Sequence, residues 1–281
     1  MRRQSIRNPP LRNPFAHNWQ AYYWTRILQR LEVTGLTLGI GGKARCTIPN
    51  PPGIFKTFAT PEGRRSFEED ASLKAVRKLV RSATTFWDVG ANGGLFSLFG
   101  REENPGLFIV SIEASTLHYQ TLSSNWALQP SSRWLCLHTA VGDRDGVTHL
   151  SLRQSGFDHI VEDPDSGDGV EVELRPMARL DTLAGMLGTE TIDVLKIDVE
   201  GYELKVLRGA EALLQQRRIG AIVLESDGHD LRYGSSEAET IGFLAALGYG
   251  VDASLSRVGE ASGNCLVFQP CMGERREANG S

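Results

Sequence analysis

The sequence is poor in cysteine and in long apolar runs. Its four cysteines are scattered and form no C-x-x-C pair: Cys46, Cys136, Cys265 and Cys271. That spacing argues against a structural zinc site and fits a reducing compartment, so we expect a cytoplasmic protein. No apolar run approaches the roughly 20 residues that span a bilayer, which predicts no stable membrane association. The basic N-terminus leads into no apolar stretch, so we expect no secretory signal.

Excess positive charge is also missing. The formal net charge is −4, which gives no general attraction to nucleic acid or to an anionic membrane. The hydrophobic content of 41% and the charged content of 23% are those of a soluble globular protein. We therefore expect a small molecule or a peptide as the partner, and no nucleic acid. The length of 281 residues fits one large domain with an extension, which we divide into an N-terminal arm and cap at residues 1–60 and a main domain at residues 61–281.

What the chain does contain is a glycine-rich turn after a short apolar strand, between Asp88 and Gly94. Glycines let a backbone approach a ligand closely, and a helix start exposes backbone N–H groups. The spacing Gly90-x-Asn92-x-Gly94 lacks the second glycine of the dinucleotide fingerprint G-x-G-x-x-G. A carboxylate at Asp88 repels pyrophosphate but accepts hydrogen bonds from an ammonium group. The turn therefore indicates a site for the amino-acid end of S-adenosylmethionine, and an ordinary tight turn is the alternative.

From residue 85 onward, β and α patterns alternate, which predicts an α/β fold with a mostly parallel sheet and helices on both faces. The expected strands are residues 85–89, 107–112, 134–140, 192–197, 221–225 and 265–268. The expected helices are residues 95–101, 115–127, 202–215 and 236–247. A hairpin insertion is expected from residues 147–152 and 170–174, which interrupt the alternation. Upstream, the pattern predicts an aromatic-rich helix at 17–31, a hairpin or irregular cap at 33–60 and a helix at 61–81.

Acidic residues follow several of these strands. Glu113 ends the second strand roughly 20 residues after the glycine turn, which is where an acid would hold a ribose diol. Asp143 lies just past the third strand and could contact the amino group of adenine, although a turn acid is an equal alternative. Both positions extend the site that the turn begins.

The fourth strand is nearly apolar except for Lys196, and it is followed by Asp198 and Glu200. Because ligands of open α/β sheets bind at the carboxyl ends of the strands, Asp198 and Glu200 should face the same crevice as Gly90. Lys196 could simply pair with a neighbouring acid, and Glu203 is explained as a carboxylate at a helix N-terminus.

No metal is expected at this crevice. A hard cation held by Asp198 together with Glu225 or Asp227 on the next strand is the alternative. Acids at strand ends have commoner uses, so we do not favour it.

Several stretches together resemble the FkbM-type S-adenosylmethionine-dependent methyltransferases: Asp88–Gly94, Glu113, Ala140–Asp143, Arg179–Leu183, Leu195–Glu203 and Val206–Ala210. The resemblance covers roughly residues 65–270. It implies a class I methyltransferase fold, in which a seven-stranded, mostly parallel sheet has an antiparallel last strand. It implies contacts with S-adenosylmethionine at Asp88, Gly90, Asn92 and Glu113. We add the neighbouring residues of the turn and of the strand ends. The cofactor-binding set is then Asp88, Gly90, Ala91, Asn92, Gly94, Glu113, Ala114 and Asp143. The chain departs from the family at Gly93 and Ala114, and neither change removes a cofactor-binding group.

The resemblance implies O-methylation of a hydroxyl on a sugar or a natural product, and in some members N-methylation of a peptide side chain. We expect Asp198 to orient or deprotonate the acceptor, with Lys196 and Glu200 shaping the site. A nicotinamide-dependent oxidoreductase on a similar sheet is an alternative against which Asn92 and Asp88 speak. A scaffold protein with a degenerate site is another, and the intact acids speak against it. The aromatic residues Trp19–Trp24 could cover an acceptor pocket or form a homodimer face.

Overall fold

The computed structural model of the protein describes residues 35–41, 44–49, 70–128, 130–151, 158–162, 171–226, 229–260 and 263–271, with only the backbone given for the first two ranges. Its helices are α1 (Ala71–Val80), α2 (Leu95–Glu103), α3 (Thr116–Leu128), α4 (Leu180–Leu187), α5 (Glu203–Arg208), α6 (Glu211–Gln215) and α7 (Glu237–Ala246), and a 3-10 helix spans His229–Tyr233. Its strands are β1 (Gly35–Gly41), β2 (Ala44–Pro49), β3 (Thr85–Val89), β4 (Phe108–Glu113), β5 (Trp134–His138), β6 (Ala140–Val141), β7 (Gly146–Ser151), β8 (Ile160–Val161), β9 (Val172–Ala178), β10 (Ile192–Ile197), β11 (Ile219–Ser226), β12 (Tyr249–Val251), β13 (Arg257–Glu260) and β14 (Gly263–Pro270).

The main sheet has the strand order β12-β14-β11-β10-β3-β4-β5. Strand β13 pairs with the first residues of β14. Strands β5, β4, β3, β10 and β11 run parallel to one another. The last strand, β14, is antiparallel to β11. The mostly parallel sheet with an antiparallel last strand is therefore confirmed.

Alternate residues of the central strands pack on opposite faces of this sheet, as the two-residue period of a strand requires. Trp87 and Leu195 belong to one apolar cluster, while Phe86 and Val194 belong to the other. Helices α1 and α2 cover the second cluster, and α4, α5 and α7 cover the first. Parallel strands buried on both faces need nearly continuous apolar sequence, so polar side chains concentrate where the strands end.

One expected helix is in fact two. The apolar spacing over residues 202–215 predicts a single helix, but Gly209 separates α5 from α6. A Cβ at Gly209 would lie 2.0 Å from the carbonyl oxygen of Gly142. The side chain of Asp181 accepts hydrogen bonds from the amides of Ala212 and Leu213 and so caps α6 from outside. Tertiary contacts of this kind leave no trace in the apolar spacing.

The hairpin insertion is confirmed, because β7 and β9 pair antiparallel. Together with two short strands they form a second sheet of order β6-β9-β7-β8. Five elements were not expected: α4, β8, β12, β13 and the 3-10 helix. The first has no side-chain cap at its N-terminus, and the other four are only two to five residues long.

The upstream segment is described only in part. Strands β1 and β2 pair antiparallel, which confirms a hairpin within residues 33–60. Helix α1 confirms part of the helix expected at 61–81. The aromatic helix expected at 17–31 lies outside the described residues, and the division at residue 60 stays a prediction. Among the described helices, none combines the length and the apolarity needed to cross a bilayer.

Candidate active site

A cleft of about 650 Å³ of open space lies where β3, β4 and β10 end. This is the edge at which open α/β sheets bind their ligands. Residues of β7, of β8 and of the segment before β8 line the cleft on the side of the insertion. The polar residues among its described lining are Asn92, Glu113, His118, Thr139, Asp158, His159, Asp198 and Glu200.

Gly90 lines this cleft, but protein packing is what requires a glycine there. Its φ is +75°, in the left-handed region that favours glycine. A Cβ on Gly90 would lie 1.7 Å from the carbonyl oxygen of Asp198. Similarly, a Cβ on Gly94 would lie 2.5 Å from a methyl carbon of Leu122. The glycines let β3, β10 and α3 come together, so packing within the protein requires them, and the expected approach of a ligand stays a prediction.

The amide groups of the turn are also used inside the protein. Each donates a backbone hydrogen bond: Gly90 and Ala91 to the Ile112 carbonyl, Asn92 to the Glu113 carboxylate, Gly93 to the Asn92 side chain and Gly94 to the Ala91 carbonyl. The expectation that this turn presents N–H groups to a ligand is therefore wrong for these five amides. A turn without available donors is a poor phosphate site, since phosphate binding relies on such groups.

Glu113 lines the cleft at the end of β4. One carboxylate oxygen accepts from the Asn92 amide and the other accepts from the Ser115 amide, each at 2.7 Å. Burial raises the pKa of Glu113 to about 7, although both amides and the Lys196 ammonium favour the ionised form. Ala114 lines the cleft beside it. The carboxylate thus links the glycine turn to the start of α3 and faces the cleft.

Asp198 presents a carboxylate at the other side of the cleft. Its side chain is 34% exposed, and its Oδ2 accepts from Lys196 Nζ at 3.0 Å. Lys196 itself is only 1% exposed and lies beneath the cleft. Its Nζ lies 3.9 Å from Asp88 Oδ1 and 4.4 Å from the centre of the Phe96 ring. Burial opposes the charge of Lys196, but the neighbouring carboxylates outweigh it and raise the pKa of the ammonium.

Glu200 lies in a turn that holds it in an uncommon conformation. Its φ is +56°, which an L residue adopts only at a cost of about 1–2 kcal/mol. Glu203 Oε1 accepts from the amides of Val199 and Gly201, and Arg232 donates to the carbonyl of Glu200. Glu203 is therefore a structural residue of this turn, which is consistent with its expected place at a helix start. The strained turn brings Glu200 to the cleft.

Half of the expected cofactor-binding residues line the cleft, namely Gly90, Asn92, Glu113 and Ala114. Asp88, Ala91, Gly94 and Asp143 are described but lie outside its lining. Asp143 Oδ2 accepts from Lys205 Nζ at 3.1 Å, while its buried Oδ1 has no hydrogen-bond partner among the described residues. This placement does not favour the expected contact with adenine.

Besides Thr139, which directly follows β5, three polar lining residues were not expected from the sequence: His118, Asp158 and His159. Burial lowers the pKa of His118, while the charge of Asp158 raises it in part. The His159 ring nitrogen Nδ1 lies 3.0 Å from Ser151 Oγ. His118 is on the first turn of α3, and the other two belong to the insertion, so no strand-end pattern could have pointed to them.

A metal centre finds no support in the described residues, among which no group of three or more His, Cys, Asp or Glu side chains could hold an ion. Glu225 lies near Lys196 at the end of β11, and its pKa is raised by burial to about 7. Asp227, the other residue of the metal alternative, lies outside the described residues.

The charge of the cleft fits a cationic ligand. Its described lining contains four carboxyl groups and no lysine or arginine: Glu113, Asp158, Asp198 and Glu200. A sulfonium or ammonium group is attracted to such a lining, whereas a pyrophosphate is repelled. The residues present therefore fit S-adenosylmethionine better than a dinucleotide.

Comparison with known proteins gives an independent result. A family model described as the methyltransferase FkbM domain matches residues 88–251, which is more than half of the chain. The matched region contains the glycine turn, the strand-end acids and both sides of the cleft.

Two curated relatives are also similar to this chain. The 31-O-demethyl-FK506 methyltransferase FkbM of Streptomyces tacrolimicus is 28% identical over 163 residues, covering 47% of this chain and 61% of that protein. The methyltransferase sdnD of Sordaria araneosa is 30% identical over 155 residues, covering 44% and 59%. The chain thus spans about three fifths of the length of these relatives. Among solved structures, precorrin-6y C5,15-methyltransferase from Geobacter metallireducens matches with a TM-score of 0.43 and 13% identity, over 71% of this chain and 87% of that chain.

Proposed function

The chain belongs to the FkbM family of methyltransferases, and from that premise we propose that it transfers a methyl group from S-adenosylmethionine to a hydroxyl of a natural product or a sugar. The observation that carries the proposal is the acidic cleft with the Asp198 carboxylate at its edge. The family supports the methyl transfer, so a nicotinamide-dependent reaction is not carried forward. The hydroxyl acceptor is our addition.

Residues at the ends of β3 and β4 would hold the donor. Gly90 and Asn92 would hold its methionine portion, the Glu113 carboxylate would accept hydrogen bonds from its ribose diol, and Ala114 would contact its adenosine portion. When bound, S-adenosylmethionine supplies a methyl group on a positively charged sulfur. Hydrogen bonds to an ionised carboxylate contribute about 1.5–3 kcal/mol, so Glu113 is the residue on which donor affinity depends most.

Asp198 is the residue that handles the acceptor. Its Oδ2 is held by Lys196, which leaves Oδ1 to accept a hydrogen bond from a hydroxyl and to take its proton. Methyl transfer needs the nucleophile in line with the methyl group, and a carboxylate held in one position provides that alignment. Glu200 lies on the same side of the cleft and shapes the space for the acceptor.

The name of one relative supports oxygen as the acceptor atom, because it specifies methylation at a 31-O position. The chain covers only part of that relative, so the class of acceptor is a proposal. Mass spectrometry of the natural product made with and without the protein tests it. We expect the mass of one added methyl group, with fragments that place it on oxygen. A methyl group on a side-chain nitrogen of a peptide would replace this proposal with N-methylation.

The donor is tested by thermal unfolding in the presence of three ligands. A ligand that binds only the native state must raise the melting temperature. We expect S-adenosylmethionine and S-adenosylhomocysteine to raise it and NAD to leave it unchanged. Stabilisation by NAD alone would overturn the assignment of the cleft.

The role of Asp198 is tested by Asp198→Asn. We expect the rate of methyl transfer to fall by about 10²–10⁴-fold while the affinity for S-adenosylhomocysteine stays near that of the wild type. Asp193→Asn is the matched control, because Asp193 lies on the same strand and its carboxylate binds the amides of Thr84 and Thr85 far from the cleft. Near-normal turnover of Asp198→Asn would refute the assignment.

A further inference from the structure

A row of buried polar side chains runs beneath the cleft. It includes Asp88, the acid of the glycine turn, which does not line the cleft. Lys196 and Asp88 occupy paired positions on the parallel strands β10 and β3. Ser111 occupies the position paired with Asp88 on β4. All three side chains are buried, with Asp88 at 0% exposure. Polar groups in the middle of an otherwise apolar sheet need partners, so the contacts in this row are informative.

The hydrogen bonds in this row all point toward Asp88. The Ser97 hydroxyl donates to Asp88 Oδ2 at 2.7 Å. The Ser97 and Ser111 oxygens lie 2.6 Å apart, and since Ser97 gives its hydrogen to Asp88, Ser111 donates to Ser97. The indole N–H of Trp134 donates to Ser111 at 2.8 Å. Three hydrogen-bond donors therefore form a chain that ends on the Asp88 carboxylate. Hydrogen bonds within such a chain polarise and strengthen one another.

This arrangement suits an ionised Asp88. Its Oδ2 accepts from Ser97, and the nearest charged group to its Oδ1 is the Lys196 ammonium, which can only donate. With the hydroxyls in this order, a proton on Oδ2 would meet the hydrogen of Ser97, and Oδ1 has no hydrogen-bond partner among the described residues. Burial raises the pKa of Asp88, and Lys196 and Ser97 oppose that effect. The carboxylate and the ammonium stabilise each other inside the sheet.

Lys196 connects this buried row to the cleft. Its Nζ is 3.0 Å from Asp198 Oδ2 and 3.9 Å from Asp88 Oδ1, so one ammonium serves a buried carboxylate and a partly exposed one. Glu225 on β11 also faces Lys196, and Glu113 and Glu203 face Asp198 from β4 and α5. The Lys196 ammonium is thus surrounded by carboxyl groups. The loss of any one of them changes how strongly the ammonium interacts with each of the others.

We propose that Asp88 is a positioning residue that acts through Lys196 to fix the carboxylate of Asp198 at the cleft, and that it does not itself contact the methyl donor. With Asp88 in place, the ammonium stays centred between β3 and β10. Without that charge, the ammonium moves toward Asp198 and Glu225 and holds the Asp198 carboxylate away from the acceptor. The inference rests on the proposed methyl transfer for the role of Asp198, but the coupling between Asp88 and Lys196 is independent of it.

The test uses Asp88→Asn, Lys196→Met and the double variant of the full chain. Asparagine keeps the size of the side chain and an oxygen for the Ser97 hydroxyl. Calorimetry with S-adenosylhomocysteine measures donor-site affinity, and 15N NMR of lysine-labelled protein observes the Lys196 ammonium. Urea unfolding measures the stability of all four proteins. Asp193→Asn is the control on the same strand as Lys196, and we expect it to leave the Lys196 resonance in place.

We expect Asp88→Asn to bind S-adenosylhomocysteine within about threefold of the wild type and to shift the Lys196 resonance. In the wild-type background, Asp88→Asn lowers stability, because it removes a negative charge from beside the buried Lys196 ammonium. In the Lys196→Met background it stabilises instead, because it removes a buried carboxylate that no longer has a cation beside it, and the sign of its effect reverses.

The opposite pattern would overturn the proposal. A loss of affinity of thirtyfold or more with an unmoved Lys196 resonance would mean that Asp88 contacts the donor. An effect of Asp88→Asn on stability that is equal in both backgrounds would mean that the two residues are not coupled. If Asp88→Asn does not fold, Ser97→Ala gives the same reading: a shifted Lys196 resonance with unchanged affinity supports the proposal, and the reverse refutes it. Failure of the wild type to bind S-adenosylhomocysteine would refute the proposed function, while the resonance and the unfolding cycle would still report on the coupling.

Discussion

Glu113 and Glu203 are buried carboxyl groups that hold backbone amides in different ways. Glu113 uses both oxygens, one for the amide of Asn92 and one for that of Ser115. Glu203 uses a single oxygen, Oε1, for two amides. A glutamine has one amide oxygen and one NH₂ group, so it can replace Glu203 but cannot replace Glu113.

We therefore predict that Glu113→Gln destabilises the protein by about 1–3 kcal/mol, because an NH₂ group would face a backbone N–H. Its affinity for S-adenosylhomocysteine falls at least about tenfold, since the charged acceptor for the ribose is lost. Glu203→Gln is the matched control and keeps its affinity. Urea unfolding and calorimetry check both variants, and equal behaviour of the two would contradict this account of Glu113.

Gly90 provides a second prediction at the scale of a residue. Gly90→Ala places a methyl group 1.7 Å from the Asp198 carbonyl oxygen and also demands a left-handed backbone. We expect the soluble folded protein to be lost or its stability to fall by more than about 3 kcal/mol. Gly188→Ala is the control, because Gly188 has φ +63° with nothing within 4 Å of an added methyl carbon, and only the backbone cost of about 1–2 kcal/mol applies. Similar melting temperatures for the two variants would show that the close approach is unimportant.

The same residues show which site positions follow from strand ends and which do not. Glu113, Asp198 and Glu200 could be placed at the cleft because parallel strands end at one edge and each residue lies at or just after such an end. Asp88 has the same kind of position in the sequence, yet its side chain lies beneath the turn. Its neighbours Ser97 and Lys196 come from α2 and from β10, which is distant in the chain. The direction of a side chain within a strand depends on such partners, which no local pattern records.

At the scale of elements, the insertion is attached to the rest of the site by a tyrosine. Tyr233 in the 3-10 helix donates to the Ile160 carbonyl at 2.9 Å. Ile160 is on β8 and lines the cleft. Strand β8 has only two residues, so few other ladder bonds hold it in place.

We predict that Tyr233→Phe loosens β8 and lowers the affinity for S-adenosylhomocysteine by about threefold to tenfold, corresponding to a hydrogen bond of about 1 kcal/mol. Amide exchange at residues 160–162 becomes faster. Tyr249→Phe is the matched control, because Tyr249 donates to the Ile219 carbonyl at the same distance in the main sheet. It should lower stability without changing affinity. Unchanged exchange at β8 in Tyr233→Phe would mean that the tyrosine does not hold the strand.

The elements also divide into those that sequence could predict and those it could not. Strands β3 and β10 matched their expected bounds because each is a short apolar run between turn residues. Helix α7 lies within its expected range, and Ser236 just before it accepts from the Glu239 amide, the local pattern of a capping box. The break at Gly209 was missed because it depends on the approach of Gly142, which belongs to a distant part of the chain. Long-range contacts of this kind decide where a predicted helix stops.

At the scale of the whole molecule, the residues that the structure describes include three buried carboxyl groups whose pKa is raised to about 7 by burial: Glu113, Glu203 and Glu225. All three lie around the ends of the central strands. In the unfolded chain such groups release their protons near pH 4.5. Between about pH 4.5 and pH 7 the folded protein therefore binds more protons than the unfolded chain, and its stability falls as the pH rises.

Other carboxyl groups act in the opposite direction at lower pH. Partners lower the pKa of Glu103, Glu173 and Asp193. These groups stabilise the protein above their unfolded pKa, and that contribution is lost as the pH falls through their folded pKa. The two sets together place the maximum of stability on the acid side of neutrality, near about pH 5, and the lowered pKa of His118 and His138 reduces the decline above it.

We predict that the free energy of unfolding falls between about pH 5 and pH 7, by on the order of 1–3 kcal/mol for each of the three raised carboxyl groups, and levels off above pH 7. Urea unfolding at intervals of pH measures this slope. Glu203→Gln removes one titrating group while keeping its hydrogen bonds, so it should flatten the slope by roughly a third and raise stability above pH 7. A stability that rises from pH 5 to pH 7 in the wild type would mean that these carboxyl groups ionise in the folded protein as they do in water.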